Sequence, residues 1–233
     1  METESISFIS SLSAFFSQYG LLLLKGTWDT LVMTTLSTLF AYILGIPLGV
    51  ILILTSKHGL MPKPIVYSIL GGLINIGRSI PFIILIVFMI PFTRMIVGTS
   101  LGVAAAIVPL TVATTPFVAR MIEQSLREVN KHLIEAAQSF GADTWQIISK
   151  VFLAESMPSL VRGVSITFIS VFGFVAMAGT VGAGGIGDIA IRYGYQRYEN
   201  SVMIASIILS IVLVQIAQSI TNIIAIRIDH RKR

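Results

Sequence analysis

The chain has 233 residues, of which 55% are hydrophobic and 12% charged, about half the charge of a typical soluble domain; its mean hydropathy is +0.88. So little polar surface cannot cover a water-facing globule, and the formal charge of +5 is spread between apolar runs rather than gathered in a patch, which excludes a soluble enzyme, a disordered chain and a nucleic-acid-coating protein. There is no cysteine, so disulfides, thiolate metal sites and cysteine nucleophiles are excluded too.

The first stretch, 6–24, sets Ser5, Ser7, Ser10, Ser11, Ser13, Ser17 and Gln18 around or within an apolar face, then runs Leu21, Leu22, Leu23, Leu24 and Lys25. This pattern predicts an interfacial amphipathic helix, with a further span as the alternative. No Lys or Arg precedes the apolar part, which disfavours a secretory signal. Residues 1–28 are therefore an N-terminal interfacial or extracytoplasmic segment, 29–226 the membrane unit and 227–233 a basic cytoplasmic tail.

A bilayer core of about 30 Å needs about 20 apolar residues in a helix. Uncharged runs at 30–56, 95–119, 163–187 and 200–226 each qualify. A fifth, 64–93, qualifies if it carries Arg78, and it should break or bend near Ser79-Ile80-Pro81. The expected fold is all-α, with five membrane spans. One side of that topology collects Lys57, Lys63, Arg120, Arg127, Lys131, Lys150, Arg162, Arg227, Arg231, Lys232 and Arg233; the other has only Lys25, Arg94, Arg192 and Arg197. This excess places the N-terminus outside, the C-terminus in the cytoplasm, and the long loop 123–158 in the cytoplasm.

The chemistry is sparse. No phosphate-cradling Gly-x-x-x-x-Gly-Lys-Ser/Thr occurs, and His58, His132 and His230 have no ligand spacing, so neither ATP binding by that route nor a metal site is expected. No Asp, Glu or His falls inside the five spans so delimited, which argues against proton coupling and points to energy supplied by another polypeptide. Gly182-Ala183-Gly184-Gly185-Ile186-Gly187 matches Gly-x-Gly-x-x-Gly but ends a membrane helix, so it reads as a flexible helix end in which Gly182, Gly184, Gly185 and Gly187 act as a hinge. Arg78 is the one charge at depth. It either faces a polar pathway or snorkels and caps carbonyls freed before Pro81. Gly45 and Gly49, four apart, predict close helix packing.

The cytoplasmic loop carries helical patterning. One short helix should end at Gly141, and Asp143 is placed to cap a second, 144–153. Ala136 and Ala137 permit close approach, while Leu133, Ile134, Phe140 and Trp145 supply more apolar surface than a water-facing loop needs. Glu135-Ala136-Ala137, then Gly141, then Val151-x-Leu153 resembles the EAA loop of ABC-importer permeases; Ala154 stands where that motif has proline, and Pro158 follows four residues later. The set Arg78-Ser79-Ile80-Pro81-Phe82, Ile90-Pro91-Phe92-Thr93-Arg94, Val97-Gly98-Thr99-Ser100 and the glycine run narrows the resemblance to methionine-importer permeases over about 28–226.

That resemblance implies a homodimer with two ATP-binding-cassette subunits and an extracytoplasmic solute-binding protein in the cell membrane. ATP and magnesium would be held by the ATPase and no cofactor by this chain. Glu135, Ala136, Ala137, Phe140, Gly141 and Ala142 would form the ATPase-coupling face. The pathway candidates are Arg78, Ser79, Pro81 and Met177. Met177 lies among Gly173, Phe174, Ala176, Ala178 and Gly179 in the fourth span, as an adaptable gate or as packing. The rival readings are an ABC permease for another small solute, a self-contained channel or carrier, and a membrane enzyme, the last lacking any intramembrane nucleophile, base or metal cluster.

Overall fold

The computed structural model describes the backbone of residues 2–228 and side chains from Ser13 onward; most of the basic tail at 227–233, His230 included, lies outside the described residues. The described residues form helices joined by turns, with no strand among them. Its elements are α1 (Glu2–Thr55), α2 (Pro64–Ser79), α3 (Phe82–Phe88), α4 (Ile90–Val97), α5 (Val103–Arg127), α6 (Lys131–Ser139), α7 (Thr144–Gln146), a π-helical stretch Ile147–Phe152, α8 (Leu153–Gly179), α9 (Gly185–Ile189), a second π-helical stretch Ala190–Tyr195, and α10 (Asn200–Ile228). Among the described residues, four helices are long and apolar enough to cross a bilayer: Ser13–Thr55, Val103–Arg127, Thr144–Gly179 and Asn200–Arg227. The pair Pro64–Ser79 and Phe82–Phe88 passes the same test together and is bent by 98°.

The bend falls at Ile80 and Pro81, between α2 and α3, where the sequence places it. Pro81 disfavours helix at the residue before it, and Ile80 is extended at φ −80°, ψ 122°. At the N-terminus, α1 runs without a break through position 28, where composition marks the end of a separate segment. With 54 residues it is about 80 Å long at 1.5 Å per residue, far beyond the hydrocarbon thickness of a bilayer.

Uncharged runs misplace two boundaries. Residues 95–102 are not the start of the third span: α4 ends at Val97, Gly98 and Gly102 turn at φ +82° and +88°, and α5 begins at Val103. Helix α5 then continues past the run's last residue, Ala119, to Arg127, so Glu123 is a helix residue rather than the first of a loop. Among the described residues three carboxylates therefore stand in long apolar helices, Asp29 in α1, Glu123 in α5 and Glu155 in the first turn of α8. A reading that cuts spans at charges cannot place a charge inside one.

Helix α5 is the centre of the bundle. Val118 and Ile122 pack with Ala41, Ile53, Leu126, Val129, Ile147, Phe152 and Leu160 toward one end. Ala106 and Leu110 pack with Met33, Phe82, Ile86, Val171, Val175, Ala178 and Ala183 toward the other. Gly45 and Gly49 allow α1 to lie against α5: a Cβ at 45 would sit 2.6 Å from Val118 Cγ1, and one at 49 would sit 2.7 Å from the Ala119 carbonyl oxygen. Helix α10 buries little of its surface within the chain.

Candidate coupling loop and pathway surface

The loop is built from two capped helix ends. Asn130 opens α6 by accepting the His132 backbone N–H at 3.0 Å. At the far end the chain reverses at Gly141, φ +79°; its N–H donates to the Gln138 carbonyl at 2.9 Å and that of Ala142 to the Ala137 carbonyl at 3.0 Å. Only a residue free of Cβ strain takes that φ readily. Asp143 then caps α7 in a reciprocal box: Gln146 N–H donates to Asp143 Oδ1 at 2.8 Å, and Asp143 N–H to Gln146 Oε1 at 3.0 Å.

The helix that Asp143 starts does not end near Leu153. It passes through the π-helical stretch and α8 as one continuous element, Thr144–Gly179. With Ala154 in place of a proline, each backbone N–H up to Met157 remains a donor, and Pro158 is absorbed inside α8. The loop is thus joined to Met177 by one unbroken helix, about 50 Å at 1.5 Å per residue.

The six loop residues singled out in the sequence divide between two faces. Ala137 and Ala142, with Ile134, pack inward on the cluster around Leu126, Val129, Ile147 and Phe152. Glu135, Ala136 and Phe140 face outward with Leu133 and Trp145, and Phe140 and Trp145 are 91% and 73% exposed. Gly141 supplies the turn between the faces. Glu135 stands 3.5 Å from His132 Nδ1, with both side chains exposed.

The pathway candidates lie at the α2–α3 break and on α8. Arg78 sits in the last turn of α2, exposed and with no ion partner among the described residues. Ser79 donates to the Asn75 carbonyl at 2.8 Å, and Pro81 opens α3. Met177 is half exposed on α8. It belongs to a stripe of Arg162, Ile166, Gly173, Met177 and Thr180, all exposed and spaced as one face of a helix.

The glycine run is a packed corner. After α8 ends at Gly179, Gly182, Gly184 and Gly185 hold φ of +88°, +86° and +84°. The Gly182 carbonyl accepts from Gly102 N–H at 2.9 Å, and Ile186 N–H donates to Thr30 Oγ1 of α1 at 2.9 Å. A Cβ at Gly187 would meet the Ala176 carbonyl oxygen at 2.4 Å, and one at Gly179 would meet Asp188 N at 2.4 Å. Movement of the α8 end is therefore coupled to α1 and to the 98–102 turn.

One cluster escapes a reading by uncharged runs. Glu123 is 1% exposed. It accepts from Arg120 Nη1 at 2.6 Å, from Tyr67 Oη at 3.1 Å and from Arg127 Nη2. Arg120 also donates to Asn75 Oδ1 at 2.9 Å, so the network binds α2 to α5. The spacing Arg120, Glu123, Arg127 is i, i+3 and i, i+4 on one helix, a signal the sequence carries.

Comparison with known proteins agrees with this architecture. A family model described as "binding-protein-dependent transport system inner membrane component" matches residues 45–230. A Vibrio cholerae protein named a probable D-methionine transport system permease is 49% identical over 222 residues, covering 95% of this chain and 99% of that one. A Yersinia pestis D-methionine transport system permease is 52% identical over 158 residues, 68% of this chain and 73% of that one. A chain of the MetNI methionine ABC transporter, solved in an inward-facing conformation, superimposes with a TM-score of 0.90 at 45% identity, covering 91% of this chain and 99% of that chain.

Proposed function

Because this chain belongs to the family of binding-protein-dependent transport system inner membrane components, we propose that it is the membrane-spanning permease subunit of an ABC importer for methionine and close analogues. It is a multi-pass membrane protein and not itself an enzyme; hydrolysis belongs to a separate ATPase subunit, which also holds ATP and magnesium, and this chain carries no cofactor. The identity to relatives named for D-methionine transport supports the substrate.

The observation that carries the coupling mechanism is the continuity of Thr144–Gly179 beneath an outward apolar face. Leu133, Ala136, Phe140 and Trp145, with Glu135, seat in a groove of the ATPase. Ile134, Ala137 and Ala142 pin the seat to the bundle, and Gly141 fixes the angle between the two loop helices. Displacement of that seat by ATPase closure passes into α8 as a rigid body. Two copies related by a two-fold axis enclose the pathway. The stripe of α8 carrying Met177, together with Arg78, Ser79 and Pro81, lines it, and Gly182, Gly184, Gly185 and Gly187 form the corner about which the outer end of α8 re-aims. An extracytoplasmic binding protein delivers the solute, and lipid surrounds α10. The topology is five spans, N-terminus out and C-terminus in, with 1–28 preceding the permease unit 29–226, loop 123–158 on the cytoplasmic side and tail 227–233 beyond.

The test is reconstitution. Proteoliposomes holding this chain, its ATPase and the binding protein should take up labelled methionine only with ATP on the cytoplasmic side, and native mass spectrometry should give two permease and two ATPase chains. Uptake independent of ATP, or a single permease chain per active complex, rejects the reading.

A further inference from the structure

Where α1 ends at Thr55 the chain folds back tightly. Gly59 N–H donates to the Ser56 carbonyl at 2.9 Å, Met61 N–H to Leu54 at 3.0 Å and Lys63 N–H to Thr55 at 3.0 Å. There is no room for a side chain at 59, where a Cβ would lie 2.3 Å from the Ile53 and Leu54 carbonyl oxygens. This fixed turn holds Lys57 and His58 at the rim of a cavity of about 310 Å³, and Arg127 and Lys131 reach the same cavity from α5 and α6. Its wall is apolar, formed by Leu126, Val129, Ile134 and Phe152 among others, and no carboxylate lines it. Arg127 is engaged with Glu123 and Tyr67. Lys57, His58 and Lys131 have no ion partner among the described residues.

We infer that this cavity is a binding site for the phosphate headgroup of an anionic glycerophospholipid. Three unspent basic side chains around a space without an acid call for an anion, and phosphate is the anion whose oxygens several donors can share. The apolar wall adds the second half of the argument, since a free inorganic anion would leave it unused while a lipid fills it with the first part of its chains. The position fits as well: in the proposed orientation the turn closes the apolar helix α1 on the cytoplasmic side, and basic pockets between membrane helices on that side hold such lipids. A lipid seated there joins the α1–α2 turn to α6, the helix proposed above to meet the ATPase; the inference rests on that proposed orientation.

The test uses the full chain purified with its ATPase. Native mass spectrometry should find dioleoylphosphatidylglycerol retained in preference to dioleoylphosphatidylcholine. Lys57→Gln combined with Lys131→Gln should lower that retention about five-fold for each cation removed, while Lys57→Arg with Lys131→Arg retains it. If the double neutral variant does not fold, Lys131→Gln alone, at the exposed start of α6, should give the single-cation loss. Equal retention of the two lipids, or unchanged retention after neutralisation, overturns the proposal. Displacement of phosphatidylglycerol by millimolar inorganic phosphate overturns the lipid assignment in favour of a free-phosphate site. Loss of the ATPase from the wild-type preparation counts instead against the permease reading, and leaves lipid retention measurable on the chain itself.

Discussion

The ring of Phe82 stacks on that of Phe174, with centroids 4.8 Å apart and planes 18° from parallel. Phe82 is the first residue after the broken turn at Ile80-Pro81, and Phe174 lies one helical turn from Met177 on α8. The contact therefore places the break in the Arg78 region beside the helix that continues from the coupling loop. Phe82 is buried in the core with Met33, Leu110, Val171 and Val175, so the end of α3 nearest the break moves with α8. The two parts of the proposed pathway surface are mechanically one.

The tight approach of α1 to α5 gives a sharp test of packing. A Cβ at Gly49 would fall 2.6 Å from Ile122 Cβ and 2.7 Å from the Ala119 carbonyl oxygen, an atom that no side-chain rotation can move. Gly49→Ala should destabilise the chain by roughly 1–3 kcal/mol, the usual cost of overpacking, seen as a lower thermal midpoint of the purified protein in detergent. Gly173→Ala is the control, since no atom lies within 4 Å of its added methyl; replacing a helix-interior glycine, it should leave the midpoint equal or slightly higher. Equal midpoints for Gly49→Ala and wild type would contradict the α1–α5 contact.

The features legible in the amino-acid sequence are those set by local geometry. Gly141 and Asp143 predict the turn and the cap because one accepts a left-handed φ and the other has a side chain that reaches three residues along. Ser79-Ile80-Pro81 predicts the break for the same reason. Features decided by tertiary pairing are not legible in this way. Glu123 reads as the start of a loop because the apolar run stops at Arg120; the i, i+3 and i, i+4 arginines are in the sequence, but the Tyr67 contact that completes the buried site is set by the fold. The junction at Leu153 reads as a helix end because polar loop gives way to membrane there, whereas the backbone hydrogen bonds continue across it. The glycine run reads as slack because small residues look the same whether they leave space or let two backbones touch.

The buried carboxylate sets a second expectation. Glu123→Gln keeps the volume but leaves Arg120 and Arg127 without their counter-charge and weakens the tie from α5 to α2 through Tyr67. Removing one partner of a buried pair costs about 3 kcal/mol, so the variant should show a clearly lowered thermal midpoint. Glu135→Gln, on the exposed face of α6 with only His132 nearby, should leave it unchanged. A midpoint for Glu123→Gln equal to that of Glu135→Gln would remove the network from the account of stability.

Coupling is tested at Gly141. Proline there fixes φ near −65° where the chain holds +79°, and removes the N–H that donates to the Gln138 carbonyl. The seat formed by Glu135, Ala136 and Phe140 would then meet α7 at a different angle, with the membrane helices untouched. Gly141→Pro should insert normally and lose ATP-driven uptake in proteoliposomes. Gly141→Asn, which tolerates the left-handed region, should keep most of it. Normal uptake by the proline variant would detach the turn from coupling.

The gate is tested at Met177. The side chain is half exposed on a single chain, one turn from the Phe82–Phe174 stack. It shares its helix face with Gly173, beside which nothing stands within 4 Å. If α8 faces its two-fold mate as proposed, an exposed, unbranched side chain next to open space can meet the mate's Met177 in one state and part from it in another, at little cost in rotamer strain. The rigid link from Thr144 to Gly179 makes that meeting depend on the ATPase. Met177→Cys in this cysteine-free chain should therefore cross-link between the two copies, with a yield that changes when ATP is trapped. An active variant that cross-links in no state would make Met177 a packing residue, and the pathway would have to close elsewhere along the stripe.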